Sequence, residues 1–447
     1  MLDVTGAQLL ARSARAQVDG RLPSLAVGVV QDGELAWTSG RGAVDGAEPT
    51  LATQYRIGSI TKTFVAVQVM QLRDSGRLSL GTTIDELAPG TPVGDRTVGQ
   101  LLGHVSGLRA ETTGDWWERS PGRQWSELVE PLGPEAVPFP AGRRFHYSNV
   151  GFAVLGEVVS RIQGLPWADA LRRDVLDPLG LKRTSPTADP PAAQGLAVHP
   201  WAAVVITEPA HDYAAMAPAG QLWSTVADLS VLARFLLGDT GDVLSADTVA
   251  EMAEPGAVDN LEEGSAYGLG LQILTVEGRK FVGHGGSVPG FLAGVFVDRD
   301  ERSGAITLAN STRGLDGRLP VDLMKVLRDL EPRVVEAWSP EPLPAGVELD
   351  LLGPWYWGPM PFALHAGADG LLHLHNLAYA EQAVHFRPLG DGRWVGQNEY
   401  FAGEVLAVGR DASGRAIRLD IGSFSFSRTV YDPAADPPGG VDEAGWH

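Results

Sequence analysis

A chain of 447 residues has room for two or three domains and a large core, and 44% hydrophobic against 20% charged residues is an ordinary globular balance. A net charge of −20 argues against nucleic acid and anionic membrane surfaces as partners, and the absence of cysteine excludes disulfides, thiolate catalysis and Cys-ligated zinc. Met1-Leu2-Asp3-Val4-Thr5 shows no basic-then-apolar leader pattern, and no uncharged apolar run approaches the roughly 18 residues of a membrane helix, so the expected location is the cytoplasm. In chain order, Thr5 is placed to cap a helix over residues 6–18 that Gly20 ends. Runs at 25–31 and 34–39 flank Asp32-Gly33, which predicts a hairpin. From 59 to 250 the pattern turns helical. Ile60, Phe64, Val67 and Leu72 form one stripe, Ser148 and Gly164 bracket a second helix, and Thr225 caps a third over 226–237. Strand patterns return at 268–274, 279–283, 291–297 and 305–310, before a helix at 321–330. Early strands, a helical insert and later strands predict an α+β domain over residues 1–332, with one antiparallel sheet interrupted by an all-α region.

Residues 333–345 are rich in Pro and Glu and read as a linker. Beyond them, short runs at 362–365, 371–377, 383–388, 393–395, 405–408, 416–420 and 424–430 alternate with turns such as Asp369-Gly370 and Asp391-Gly392. They predict a small all-β domain, barrel or sandwich, over residues 346–435, followed by a disordered tail at 436–447.

Three clusters carry chemistry. Of 35 basic residues only Lys62, Lys182, Lys280 and Lys325 are lysine. A guanidinium keeps its proton in a protein, whereas a desolvated ammonium can lose it. Lys62 follows Ser59 by one helical turn, so it can serve as the base that a serine nucleophile needs. The bland alternative is a helix-capping serine and a solvated lysine. Tyr147-Ser148-Asn149 stands before a helix. A phenol can relay protons, with a pKa that falls near a cation, and the amide can orient the lysine or bind a carbonyl. The alternative is a core tyrosine and a helix start. His284-Gly285-Gly286-Ser287 ends a strand, where glycines admit close backbone approach, and the N–H groups of Ser59 and Ser287 could form an oxyanion hole. The alternative is a glycine turn with a satisfied histidine. Trp116, Trp117 and Trp125 line a pocket or pack. His373 and His375, with His365 and His385 nearby, suggest a metal only weakly, because no carboxylate accompanies them at ligand spacing. The acidic run at 261–263 reads as a solvated loop.

Taken together, S-x-x-K, Y-x-N and H-x-G in this order resemble the penicillin-recognising serine hydrolases, the superfamily of class C β-lactamases, D,D-peptidases, D-aminopeptidases and family VIII-type esterases. Leu101-Leu102-Gly103-His104-Val105-Ser106-Gly107-Leu108 and Ala219-Gly220-Gln221-Leu222-Trp223-Ser224-Thr225 resemble it too, and the resemblance covers about residues 5–331. It implies a β-lactamase/transpeptidase-like fold, with Ser59 as nucleophile, Lys62 and Tyr147 as base and proton relay, Asn149 as a positioning group and His284 in the third motif. It implies no metal and no cofactor. Many relatives carry Lys-Thr-Gly at the third motif, where the lysine helps hold a substrate carboxylate. Here a histidine stands there, mostly neutral at its reference pKa of about 6.5.

The expected activity is therefore acyl-enzyme hydrolysis of an ester, amide or small peptide, esterase- or D-aminopeptidase-like. The alternatives are a β-lactamase or D,D-carboxypeptidase and, from another class, a non-catalytic sensor or binding protein. No G-x-S-x-G is present, so an α/β-hydrolase elbow is not indicated. The C-terminal domain is expected to cap the cleft or limit substrate size.

Overall fold

Asp32 and Gly33 both adopt left-handed backbone, φ 52° and 85°, as a two-residue hairpin turn requires. They join β1 (Ser24–Gln31) to β2 (Glu34–Gly42) in a computed structural model that describes residues 1–260, 264–331, 337–340, 342–344, 346–379 and 383–430. Six later strands complete the sheet: β3 (Ala257–Asn260), β4 (Ser265–Tyr267), β5 (Gln272–Val276), β6 (Arg279–Val288), β7 (Phe291–Asp298) and β8 (Ser303–Ala309). Their order is β2-β1-β8-β7-β6-β5-β4-β3, antiparallel throughout. The short strands β3 and β4 were not legible as a periodic pattern. They extend the far edge beyond the predicted meander.

β1 is buried along nearly its whole length because both faces of the sheet are covered. Leu25, Val27 and Val29 pack with Phe281, Phe296 and Ala305 against α1 (Asp3–Asp19) and the last helix of this unit (Leu319–Leu330). Ala26, Val30, Val282, Val295, Ile306 and Leu308 point the other way, into the all-α region. That region centres on α2 (Ile60–Asp74), which is buried on every side from Ile60 to Met70 rather than along one stripe. Beside it lie α3 (Asn149–Gln163) and α4 (Val226–Leu236). Local capping fixes their ends. Ser148 Oγ accepts from the Gly151 N–H at 3.0 Å, Gly164 closes α3 at φ 71°, and Thr225 Oγ1 accepts from the Asp228 N–H at 3.1 Å. Thr5 does not cap α1. The helix starts at Asp3, and Thr5 is buried in its first turn.

The chain divides into two compact units, Met1–Arg333 and Val334–His447. With Leu319–Leu330 taken as α5, the first unit is the β-lactamase/transpeptidase-like α+β fold. The second closes eight strands into a barrel, which resolves the choice between barrel and sandwich: β9 (Gly353–Trp357), β10 (Met360–Ala366), β11 (Leu372–Asn376), β12 (Val384–Gly390), β13 (Arg393–Gly396), β14 (Val405–Arg410), β15 (Ala416–Ile421) and β16 (Phe424–Ser427). Alternate residues Trp355, Leu364, Leu374, Phe386, Trp394, Leu419 and Phe426 fill its interior. The register sets His373 opposite both His365 and His385. Asp369, from the preceding turn, binds His373 Nε2 at 3.0 Å, a carboxylate neighbour that the spacing argument missed. Among the described residues no three His, Asp or Glu side chains are placed to hold a metal ion. Parts of the predicted linker (residues 333–336, 341 and 345), the tail at 436–447 and the acidic run at 261–263 lie outside the described residues. Among the described residues no helix is long and apolar enough to cross a membrane.

Candidate active site

Ser59 sits at the start of α2, just after Gly58 at φ 50°. Its backbone is already helical, φ −64° and ψ −9°, and its hydroxyl caps nothing. Instead Ser59 Oγ accepts from Lys62 Nζ at 3.0 Å. Lys62 is wholly buried. Its other hydrogen bond goes to the Ala219 carbonyl at 2.7 Å, and the amine stands 4.9 Å from the Tyr147 ring centre and 5.8 Å from that of Phe152. Burial lowers the lysine pKa from 10.5 to about 7, and the negative charges of Glu111 and Glu118 only partly oppose the fall. Ser59 itself keeps part of its surface open, facing a cavity of about 350 Å³ that Tyr147 and Gly285-Gly286-Ser287 also line.

The Tyr147 hydroxyl lies near Ser59, and both residues line the same cavity. Its pKa does not fall near the cation, as expected from the sequence, but rises. Burial dominates, Glu111 and Glu118 add to it, and the neighbouring Ser59 hydroxyl opposes it. The phenol therefore stays protonated. Asn149 is also placed differently from expectation, because its amide donates to Glu111 Oε1 at 2.6 Å rather than orienting Lys62. The segment is lashed to the stretch 104–110. The His146 N–H donates to the His104 carbonyl, the Ser148 N–H to His104 Nδ1 at 3.1 Å, Ser148 Oγ to the Arg109 carbonyl and the Asn149 N–H to the Ala110 carbonyl. His104, in left-handed backbone at φ 55° and fully buried, lays its ring 4.2 Å from that of Tyr147. The run Leu101 to Leu108 thus clamps the tyrosine, a role that the residues alone did not reveal. Trp117 is buried, packs edge-on to Tyr213 and donates to Glu111 at 2.6 Å, while exposed Trp116 donates to Glu118 at 2.9 Å. Trp125 packs partly buried against the core.

In the third cluster the histidine is not free. His284 is 1% exposed. Its Nδ1 lies against the Gly285 carbonyl, which can only accept, so Nδ1 carries the proton and Nε2 accepts from the Tyr267 hydroxyl at 2.9 Å. Burial, reinforced by the charge of Lys62, lowers the His284 pKa to about 3. A neutral, fully engaged imidazole supports the strand and offers no charge to a ligand. Tyr267, its partner, carried no sequence signal.

The glycines do admit close approach. A Cβ on Gly286 would stand 1.9 Å from the Ile57 carbonyl oxygen, and one on Gly58 2.6 Å from the Ser287 nitrogen. The two backbones touch, which brings Ser59 and Ser287 together. The Gly285 N–H, by contrast, is taken by Gln272 Oε1 at 2.8 Å.

Comparison with known proteins follows the same division. The Beta-lactamase family model matches residues 10–325, and a Domain of unknown function (DUF7586) matches residues 344–428. Beta-lactamase-like protein 2 of Dictyostelium discoideum is 28% identical over 275 residues, which is 57% of this chain and 50% of that protein. Penicillin-binding protein 4 of Amycolatopsis lactamdurans is 32% identical over 176 residues, 37% of this chain and 42% of its own. The chain thus spans half or less of the length of these curated relatives. Among solved structures, the octameric penicillin-binding protein homologue from Pyrococcus abyssi superposes with a TM-score of 0.66 at 20% identity over 95% of this chain and 100% of its own, a likeness of fold. A D-stereospecific amidohydrolase from Streptomyces sp. gives 0.61 at 26% identity over 71% and 97%.

Proposed function

The chain belongs to the beta-lactamase family, and from that premise we propose that it is a serine hydrolase acting through an acyl-enzyme on an ester, amide or small peptide. The observation that carries this reading is the buried Lys62 amine, 3.0 Å from Ser59 Oγ and poised near neutrality. Ser59 Oγ bonds to the substrate carbonyl carbon while its proton passes to Lys62 Nζ. The N–H groups of Ser59 and Ser287 receive the oxyanion. Tyr147, protonated and close to Ser59 and Lys62, hands a proton to the leaving group and is reprotonated from Lys62. Water then cleaves the acyl-enzyme by the reverse route. Among the two candidates for the acylation base, the pKa directions favour Lys62, because the neutral amine is accessible near pH 7 and the phenolate is not.

Substrate choice follows from charge. With His284 neutral and engaged, the third motif has no cation for a carboxylate, and Glu111 and Glu118 make the surroundings acidic. Both features disfavour the β-lactamase or D,D-carboxypeptidase alternative, although the relatives' names keep it in view. The likeness to a D-stereospecific amidohydrolase supports an amide arm. The proposed substrate is a small molecule or short peptide, and the proposed location is the cytoplasm.

The test is intact-mass spectrometry after a fluorophosphonate, beside turnover of p-nitrophenyl esters, D-amino-acid anilides and nitrocefin. We expect an adduct on Ser59 and ester or anilide turnover well above that of nitrocefin. A wild-type protein that takes no label and turns over none of the three would instead be a binding or sensing relative, and rapid nitrocefin hydrolysis would restore the β-lactamase reading.

A further inference from the structure

The cavity that opens at Ser59 does not end there. It continues past Gly285 onto the sheet face beneath the turn that leads into α5. The sheet register explains its shape. Gly285 of β6 lies opposite Gly294 of β7, which lies opposite Thr307 of β8, so two glycines and a threonine form one row across three strands. Side chains alternate along a strand, so Leu292 and Phe296 stand on either side of Gly294 on the same face. The result is a trough with Leu292 and Phe296 as walls and Leu315 and Pro320 as roof, all lining the same cavity as Ser59. Leu292 and Leu315 keep part of their surface open, while Phe296 is buried. Gly294 keeps the trough empty: a Cβ there would stand 3.0 Å from Thr307 Oγ1 and 3.2 Å from Pro320 Cγ. At the rim, Asp316 is already paired with Arg12 at 2.9 Å. In the floor itself, Thr307 Oγ1 is buried with no hydrogen-bond partner.

We propose that this trough is a substrate subsite for an uncharged apolar group, an alkyl chain or flat ring attached to the ester or amide whose carbonyl meets Ser59. It rests on the serine-hydrolase reading above and specifies the substrate class for that site. The cavity's lining includes Asp316 and no Lys or Arg, so it offers an anionic substituent a like charge and no cation. A hydrocarbon gains by leaving water, by about fourfold in binding for each methylene buried.

The experiment measures kcat/KM for two series on the full chain, p-nitrophenyl esters with acyl chains of increasing length and acetate esters with alkyl chains of increasing length. Leu315→Trp and Leu292→Trp, two independent replacements at partly open positions, narrow the trough. The expected result is a rise of at least about tenfold along one series in the wild type, flattened by either replacement, so that the ratio of long-chain to short-chain kcat/KM within each variant falls toward one. Flat profiles along both series, or a rise that survives both replacements, would overturn the subsite while hydrolysis of the short esters leaves the hydrolase reading standing. Failure of Ser59 to take a fluorophosphonate, with no ester turned over, would overturn that reading and the subsite with it.

Discussion

Lys62 carries opposite consequences for stability and for rate. Its folded pKa is about 7 against an ordinary 10.5, so below pH 7 folding buries a charge, and between those values only the unfolded chain keeps the proton. The lysine's penalty is therefore fullest below about 7 and fades as pH rises toward 10.5. Lys62→Met should accordingly melt at a higher temperature than the wild type at pH 6, with the gap narrowing through pH 8 and 9 in a scanning-fluorimetry series. The same titration governs catalysis with the other sign of benefit. Below about 7 the amine is protonated and cannot accept, so kcat/KM should fall about tenfold per pH unit on the acid side. Lys62→Arg keeps the charge and cannot deprotonate, so acylation should drop by at least about a hundredfold. Retained activity in Lys62→Arg would contradict proton transfer. Ser59, Lys62 and Tyr147 were legible because their chemistry depends on residue type and local spacing. The partners of Asn149 and His284 were not, because Glu111 and Tyr267 lie 38 and 17 residues away in sequence and meet them only in the fold. Tyr267→Phe leaves the buried His284 Nε2 without a donor, and should lower stability by about 1–3 kcal/mol in urea unfolding.

Elements position these groups through their ends. Ser148 Oγ both caps α3 and donates to the Arg109 carbonyl. Ser148→Ala should cost about 1 kcal/mol from the cap alone, and should also slow acylation because Tyr147 is its neighbour. A loss of stability with an unchanged labelling rate would show that the cap holds the helix but not the tyrosine. Gly286 is the tighter constraint. A Cβ at 1.9 Å from the Ile57 oxygen must push β6 away from the Ser59 loop. Gly286→Ala should therefore lower kcat about 100-fold by spoiling one oxyanion donor, measured against a short ester whose KM changes little. Helix ends at Ser148, Gly164 and Thr225 were readable because capping is local. The start of α1 was not legible because Thr5 has the chemistry of a cap but is buried in the first turn of the helix. β3 and β4, of four and three residues, are too short to show a period.

At the scale of the molecule, the hydrophobic cores fall within the two units, with Trp355, Phe386 and Phe426 at the heart of the barrel. Trp355→Ala removes the largest of these and should cost the barrel about 3–5 kcal/mol. Ser59 should still label with a small fluorophosphonate, because the residues that line its cavity belong to the other unit. We retain as a proposal that the barrel limits substrate size. A chain ending at Glu331 would then accept bulkier esters than the full chain, and equal rates on esters of every size would refute it. The alternation of seven short runs made a β domain legible, while closure into a barrel depends on β9 meeting β16, a pairing between distant residues that no periodicity encodes. One last consequence concerns reagents rather than substrates. Lys182 is exposed, Lys280 and Lys325 are at least partly so, and Lys62 is sealed inside. Biotin esters or aldehyde-coated beads should therefore tether the molecule through its periphery and leave its nucleophile at work, so a protein with so few primary amines can be immobilised at defined points without engineering.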